Sequence, residues 1–185
     1  MRPTSPRRLR RLTPVVLAGF ALTGVPAVAV ADSPCGSAAG HPSTMTAAAV
    51  RADTQCLLNS KRAAHGLSAL KLDRRLSRAA LGHSRAMVAG RYFEHDSLSG
   101  RSFTGRIAST GWMKGRRRWL VGENIAWGAG SLATPRAIMR YWMGSAAHRD
   151  NILDGRFRVV GIGVQRGTPV AGLSDGITYT TDFGS

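Results

Sequence analysis

Two histidines and one glutamate are the residues of this chain best suited by type to carry chemistry. His95 comes shortly after two aromatic residues, and His148 follows Ser-Ala-Ala before a helical run. Glu123, one of only two glutamates, stands in a Gly-Glu-Asn turn between apolar segments. Such a set could bind a divalent metal or perform acid–base work. The alternative is a structural polar cluster whose groups are satisfied by their neighbours, and the sequence alone leaves the convergence of the three open.

Other polar residues are weaker candidates for a site. His83 lies on the apolar face of a predicted helix, which is typical of a packed residue, and we expect His65 and His41 to be solvated. Ser97 and Ser99 occur without a Gly-x-Ser-x-Gly elbow or an ordered catalytic triad. These residues therefore do not predict a serine hydrolase.

The helices that would position the candidate residues are predicted from apolar periodicity, caps and glycine stops. They cover about 46–64, 73–90, 103–111 and a segment from 134 onward. Asp73 is the predicted N-cap of the second, and Thr134-Pro135 opens the last. Its apolar side is predicted to contain Ile138, Tyr141 and Trp142.

Strands are predicted mainly at the end of the chain. A candidate strand over 119–126 runs into the turn at 122–124, and residues 159–164 alternate between an apolar face and a small one. Asp175-Gly176 predicts a hairpin turn, with a further alternating strand over 177–183. Helices followed by antiparallel strands predict an α+β fold in which helices cover a small sheet.

The first 31 residues are typical of a secretory signal peptide. Arginines precede an apolar stretch that ends at Ala29-Val30-Ala31, a small-x-small cleavage site. Cleavage would leave a turn-rich arm over 32–45 and one domain over 46–185, with no transmembrane segment. We therefore expect a secreted, extracellular protein.

The mature chain is strongly basic. Removing residues 1–31 leaves 21 basic and 10 acidic residues, a net charge of +11. This charge favours anionic partners such as phospholipid heads or cell-wall polymers, and the run from Arg116 to Trp119 could contact phosphates; a nucleic-acid partner is not expected outside the cell. The alternative is compositional, since arginine outnumbers lysine 23 to 3, as in a GC-rich genome.

The two cysteines, Cys35 and Cys56, both fall in the mature chain. In an oxidising compartment we expect them to form a disulfide that ties the arm to the first helix. A closure of this size stabilises the fold by roughly 3 kcal/mol. A reactive Cys56 nucleophile is the alternative.

Five segments, in order, resemble the bacterial branch of the CAP family (cysteine-rich secretory, antigen 5 and pathogenesis-related 1 proteins). They are Leu58-Asn59-Ser60-Lys61-Arg62 with the following Gly66-Leu67; Ser84-Arg85-Ala86-Met87 leading to Tyr92-Phe93-Glu94-His95; Gly122-Glu123-Asn124-Ile125-Ala126; Trp142 to Leu153; and Gly161-Ile162-Gly163-Val164 with Thr181-Asp182-Phe183-Gly184. Together they span residues 50–185, nearly the whole mature chain.

The resemblance implies a three-layer α-β-α sandwich with a cleft over a small antiparallel sheet. In the family this cleft holds two histidines and two acids, and His95, Glu123 and His148 match three of the positions. Ser145 occupies the place of the fourth. That departure weakens an acid–base mechanism that needs two carboxylates, although a His₂Glu set could still bind zinc or another divalent cation.

The function expected from these observations is binding at the cell exterior. The cleft would take a divalent metal, a lipid or a wall-derived ligand. One alternative is a metal-dependent hydrolase, a peptidase or wall-active enzyme, in which His95, Glu123 and His148 are the catalytic candidates. Another is an electrostatic binder of anionic polymer, which salt would weaken strongly.

Overall fold

The structure is a computed structural model that describes residues 35–36, 39–40, 42–173 and 175–185. The predicted signal peptide over 1–31 and part of the predicted arm over 32–45 lie outside these residues. The helices are α1 (Ala47–Ala63), α2 (Arg74–Gly90), α3 (Phe103–Ser109), α4 (Pro135–Gly144) and α5 (Ala146–Leu153). The strands are β1 (Lys71–Leu72), β2 (Val121–Ala129), β3 (Val159–Arg166) and β4 (Gly176–Gly184). No helix in this described part is long and apolar enough to cross a membrane.

The strands form one mixed sheet in the order β1-β3-β4-β2. β4 pairs antiparallel with both β2 and β3, as predicted, whereas β1 pairs parallel with β3. β1 and β3 are far apart in the chain, because α2, α3, β2, α4 and α5 all lie between them, and this long connection returns the chain in the same direction. The expected small antiparallel sheet is therefore antiparallel except at β1.

Helices cover both faces of the sheet, which confirms the α-β-α sandwich. On one face, α1, α4 and α5 pack on the apolar side chains of β3 and β4 around Leu58, Trp142 and Ile152. On the other face, α2 and α3 enclose a smaller cluster of Leu76, Ala79, Ile107 and Trp112. The predicted alternation of β3 produces this arrangement, since Val160, Ile162 and Val164 all enter the larger core.

Side-chain caps set the helix starts where the sequence predicts them. The Thr46 hydroxyl accepts from Ala49 N at 3.1 Å, and the Asp73 carboxylate accepts from Arg75 N at 2.7 Å. Thr134 accepts from Ala137 N at 3.2 Å, with Pro135 in the first helical position. Each cap satisfies backbone N–H groups that have no partner within the helix.

The small face of β3 lets α2 approach the sheet at backbone contact distance. A Cβ added at Gly161 would lie 2.1 Å from Leu76 C, and one at Gly163 would lie 2.2 Å from Ala80 C. Real Cβ atoms do not approach other atoms so closely, so both positions require glycine.

Two local predictions were wrong. Gly122, Glu123 and Asn124 are not a turn but the second to fourth residues of β2, paired with Phe183, Asp182 and Thr181 of β4. Asp175-Gly176 is not a tight hairpin turn, because β3 ends at Arg166 and Gly176 is the first residue of β4. In both cases cross-strand pairing overrides the turn propensity of the residues.

The predicted disulfide is present. Cys35 and Cys56 are bonded, with their Cα atoms 5.5 Å apart, and the described cysteines include no free thiol. The bond attaches the arm to α1, and Cys35 lies within the larger core. The alternative of a reactive Cys56 is thereby contradicted.

We predict that Gly161→Ala destabilises the fold by about 3 kcal/mol, because the new methyl group meets the α2 backbone rather than a side chain that could move. Urea unfolding followed by circular dichroism measures the change. The matched control is Gly82→Ala on α2, where an added Cβ has nothing within 4 Å. That change should stabilise the helix by about 0.5–1 kcal/mol. Equal effects of the two substitutions would contradict the close contact.

Candidate functional site

The centre of the site is a buried carboxylate, Glu123, with both oxygens engaged. His95 Nδ1 donates to Glu123 Oε1 at 2.8 Å, and Arg106 donates to Oε2 at 2.6 Å. The Glu123 side chain is almost fully buried, whereas that of His95 is half exposed. Glu123 therefore orients the imidazole from below while Nε2 of His95 stays toward the solvent side.

Arg106 of α3 also fixes the loop that carries His95. Its guanidinium donates to the carbonyl oxygens of His95 and Arg101 at 2.7 and 3.2 Å, and to the Ser97 hydroxyl at 3.3 Å. One buried cation thus binds both the carboxylate and the backbone of the histidine loop. Such charge-assisted hydrogen bonds are stronger than neutral ones and define the geometry.

His148 approaches from the opposite flank, at the start of α5. Its Nδ1 forms a 2.8 Å hydrogen bond with the hydroxyl of Ser145, the residue that replaces the family's fourth acid. Its main-chain carbonyl accepts from Asn124 Nδ2 at 3.0 Å. The ring of Tyr141 on α4 lies 5.6 Å from the His148 ring, centroid to centroid. As with His95, the Nδ1 atom is engaged.

The outer edge of β2 is closed by side chains from α4 and α5. Asn151 donates to the Glu123 carbonyl at 3.2 Å, and the Trp142 indole donates to the Ile125 carbonyl at 3.2 Å. β2 is an edge strand of the sheet, and unpaired edge carbonyls are commonly covered in this way. The same contacts hold α5, and with it His148, beside the strand that carries Glu123.

A second carboxyl, Asp182, faces Glu123 across the β2–β4 pair. Asp182 is fully buried, and this burial, together with the Glu123 charge and a side-chain hydrogen bond to Glu123, raises its pKa well above the usual range. Arg106 lies beside this pair of carboxyl groups, and its charge opposes the rise in the pKa of Asp182.

The pKa values of the two histidines move in opposite directions. The hydrogen bond to Glu123 raises the pKa of His95, against a smaller opposing effect of burial. Burial lowers the pKa of His148, and the charge on His95 lowers it further. For Glu123, burial alone would raise the pKa, but the His95 hydrogen bond and the Arg106 charge hold it below the usual range.

An apolar groove adjoins the histidines between β2 and α4. Its volume is about 530 Å³. It is lined by Phe93, Ala126, Trp127, Leu132, Ala137, Ile138, Arg140 and Tyr141. We call this cavity the apolar groove. It meets the polar site at Tyr141, which contacts the groove on one side and His148 on the other.

The predicted site residues thus lie in one region, but not as one set of ligands. Among the described residues, no group of three or more His, Cys, Asp or Glu side chains is arranged to hold a metal ion. The assignment of His95, Glu123 and His148 to a metal stays a prediction. His83 is a buried residue, as predicted, with Nε2 donating to the Glu94 carbonyl at 2.9 Å.

Three residues that define the site are not among the sequence-predicted site residues. Tyr141 was predicted only to lie on the apolar side of its helix, and it is exposed and lines the groove. Arg106 and Asp182 were not singled out. A signal was available for each, because Arg106 is a cation on a short apolar helix and Asp182 is a carboxylate within an alternating apolar strand.

Comparison with known proteins identifies the family. The model of the cysteine-rich secretory protein family (CAP) matches residues 56–180, more than half of the chain, so this chain belongs to that family. YkwD of Bacillus subtilis (strain 168) is 36% identical over 107 residues, which are 58% of this chain and 39% of YkwD. The chain therefore spans about two fifths of the length of that relative.

Solved structures agree with the fold. An extracellular protein containing a SCP domain from Bacillus anthracis str. Ames has 28% identity and a TM-score of 0.57, over 75% of this chain and 43% of that one. An outer surface protein of Borrelia burgdorferi has 19% identity and a TM-score of 0.56, over 69% and 86% of the two chains. At this identity the second likeness concerns the fold alone.

We predict that Glu123→Gln lowers the pKa of His95, because the neutral amide no longer stabilises the imidazolium. The measurement is the titration of the His95 ring by heteronuclear NMR. The matched control is Glu94→Gln, which removes the neighbouring carboxylate without touching the hydrogen bond. An equal response to both substitutions would contradict the proposed cause.

The same shift has a consequence for stability. The folded-state pKa of His95 is raised, so protonation of His95 stabilises the fold below about pH 6.5, the unfolded value. This contribution is lost as the pH rises through the folded-state pKa. His148 has the opposite sign, because its lowered pKa favours the unfolded chain as the pH falls.

Proposed function

We propose that this protein is a secreted binding protein for an amphipathic, lipid-type ligand. The apolar part of the ligand would occupy the apolar groove, and its polar head would lie at His95 and His148. The observation that carries the proposal is the groove itself, whose volume of about 530 Å³ falls within the range typical of small-molecule sites. An apolar cleft beside a few convergent polar groups is the usual form of such a site.

The position of the groove favours an anionic head group. Tyr141 joins the groove to His148, Phe93 stands two residues before His95, and Arg140 contributes a cation to the lining. A carboxylate or phosphate at this end would meet the Arg140 guanidinium, which donates charge-assisted hydrogen bonds, and the His95 ring, which can donate from Nε2 when it is protonated. A neutral hydrocarbon would make neither contact.

A divalent cation fits the same end through two nitrogens. Glu123 accepts from His95 Nδ1, and the Ser145 hydroxyl can accept from His148 Nδ1, which leaves both Nε2 lone pairs available. A partner on the other ring nitrogen is the usual arrangement for a metal-binding histidine. Zinc bound there would supply a Lewis acid for an anionic head, with the remaining positions taken by water or by the ligand.

The geometry favours binding over hydrolysis. A metal-dependent hydrolase needs a group that takes a proton from water. Glu123 has both oxygens engaged, Asp182 is fully buried, and Ser145 occupies the position that the resemblance to the family assigns to the remaining acid. The hydrolase alternative has no specific observation in its favour.

Three observations support an extracellular location. Cys35 and Cys56 form a disulfide, as proteins of oxidising compartments do. The Bacillus anthracis relative is described as extracellular. Residues 1–31 have the composition of a signal peptide. A ligand outside the cell would come from the envelope or from the medium.

We predict micromolar zinc binding to the mature protein, measured by calorimetry, and its loss in both His95→Ala and His148→Ala. His65→Ala is the matched control, because His65 is an exposed imidazole bonded only to the Lys61 carbonyl. Magnesium, which prefers oxygen ligands, should bind far more weakly. Zinc affinity that survives either site substitution would contradict the two-histidine site.

We predict that the groove binds a fluorescent long-chain fatty acid that oleate displaces. Leu132→Ser should weaken this binding about tenfold, because burial of a leucine by the ligand is worth roughly 1.5 kcal/mol or more. The control is Leu98→Ser: Leu98 is 73% and Leu132 66% exposed, but only Leu132 lines the groove.

Equal weakening by the two leucine substitutions would indicate nonspecific adsorption and contradict the groove site. If the protein binds the fatty acid but calorimetry detects no zinc binding, the groove site is supported and the metal site is contradicted. If the protein binds zinc but not the fatty acid, the lipid ligand is contradicted.

A further inference from the structure

One end of the sheet carries a concentration of exposed cations. The strand pairing aligns Lys71 with Val159, Val159 with Gly184, and Gly184 with Val121, so the four strands meet there. The segments just outside these positions therefore follow a single edge. The exposed basic side chains at and just outside these positions, which we call the basic rim, are Lys71, Arg117, Arg118, Arg156 and Arg158.

Little of this charge is neutralised. Among the described residues, only Arg156 of the rim has a carboxylate partner, Asp154, at 2.6 Å. Arg158 donates to the Phe157 carbonyl, which leaves its positive charge uncompensated. Asp73, the other acid in these segments, is occupied as the cap of α2 and as acceptor of the Trp112 indole. The rim is consequently an anion-attracting surface.

One large apolar side chain is exposed within the same surface. Trp119, immediately before β2, is 45% exposed. It lines a shallow cavity of about 560 Å³ with Arg118, Leu120, Arg156 and Ser185. Two arginines of the rim therefore flank an exposed indole in one cavity.

We propose that the basic rim docks this protein on the surface of a membrane that contains anionic phospholipid. The guanidinium groups would contact lipid phosphates, while Trp119 enters the head-group region. Tryptophan beside cations is typical of interfacial membrane contacts. A purely ionic polymer would meet the arginines but would gain little from an exposed tryptophan, so the observations favour the bilayer.

The rim is separate from the apolar groove. Trp119 precedes Trp127, which lines the groove, by eight residues of nearly continuous extended chain, about 27 Å. A protein docked through the rim would therefore present the groove away from that membrane. The proposal does not depend on the nature of the groove ligand.

Co-sedimentation with vesicles tests the docking. We expect the mature protein to pellet with phosphatidylcholine vesicles that contain 30 mol% phosphatidylglycerol, and not with phosphatidylcholine alone. The double substitution Arg117→Gln/Arg118→Gln should weaken binding about 10- to 30-fold, since each arginine near an anionic surface contributes about a factor of five. Trp119→Ala should weaken it further without changing the dependence on salt.

The matched control is Arg85→Gln/Arg91→Gln, which removes the same charge from the last turns of α2 and from the residue that follows the helix. Equal weakening by the two double variants would show attraction by net charge alone and overturn the rim. Binding of soluble polyphosphate that depends on Arg117 and Arg118, without vesicle binding, would assign the rim to a polymer and also overturn the proposal. We expect Arg117→Gln/Arg118→Gln to lose vesicle affinity while Arg85→Gln/Arg91→Gln keeps it. We also expect a blue shift of tryptophan fluorescence on vesicle binding, and this shift should be absent in Trp119→Phe.

Discussion

Direct contact between the α2 backbone and the glycine face of β3 is the constraint on which the site depends. Gly161 and Gly163 leave no room for a Cβ against Leu76 and Ala80. Helix α2 is therefore held at one distance and one rotation relative to the sheet, because any slide would bring backbone into backbone. The chain leaves α2 at Gly90, and His95, five residues later, contacts Glu123 of the edge strand β2, so the contact between α2 and β3 also determines where His95 can lie.

Burial of the polar groups behind His95 costs hydration free energy, and the hydrogen bonds among these groups offset that cost. A lone carboxylate at the position of Glu123 would lose its hydration without compensation. Arg106 and His95 supply hydrogen bonds to its two oxygens, and burial beside Glu123 raises the pKa of Asp182, which favours its neutral form. Removal of one partner would leave an uncompensated buried charge, which is more damaging than the loss of a hydrogen bond.

Much of the fold follows from local sequence signals, because these signals act within a few residues. The caps Thr46, Asp73 and Thr134 mark helix starts that the structure reproduces, and the alternation of Val160, Ile162 and Val164 marks a strand with one buried face. Glu123 illustrates the limit. The residues beside Glu123 favour a turn. They form a strand because all nine residues of β2 pair with β4.

The site residues could be chosen by type from the sequence, but their relations could not. His95 and Glu123 are 28 residues apart in the chain and 2.8 Å apart in space. Nothing local to Arg106 indicates that it will bind a carboxylate on another element, and the register of β2 against β4 alone brings Asp182 opposite Glu123. The resemblance to the CAP family indicated that His95, Glu123 and His148 converge, since a family pattern records contacts that a single sequence does not display.

The two imidazoles are positioned by different parts of the molecule. His95 depends on α2, Arg106 and the smaller core, whereas His148 depends on the side chains of α4 and α5 that close the edge of β2. Each Nδ1 has its own partner, Glu123 for His95 and Ser145 for His148. The relative position of the two rings therefore depends on how firmly α3 and α5 are each attached to β2, through Arg106 on one side and Asn151 on the other.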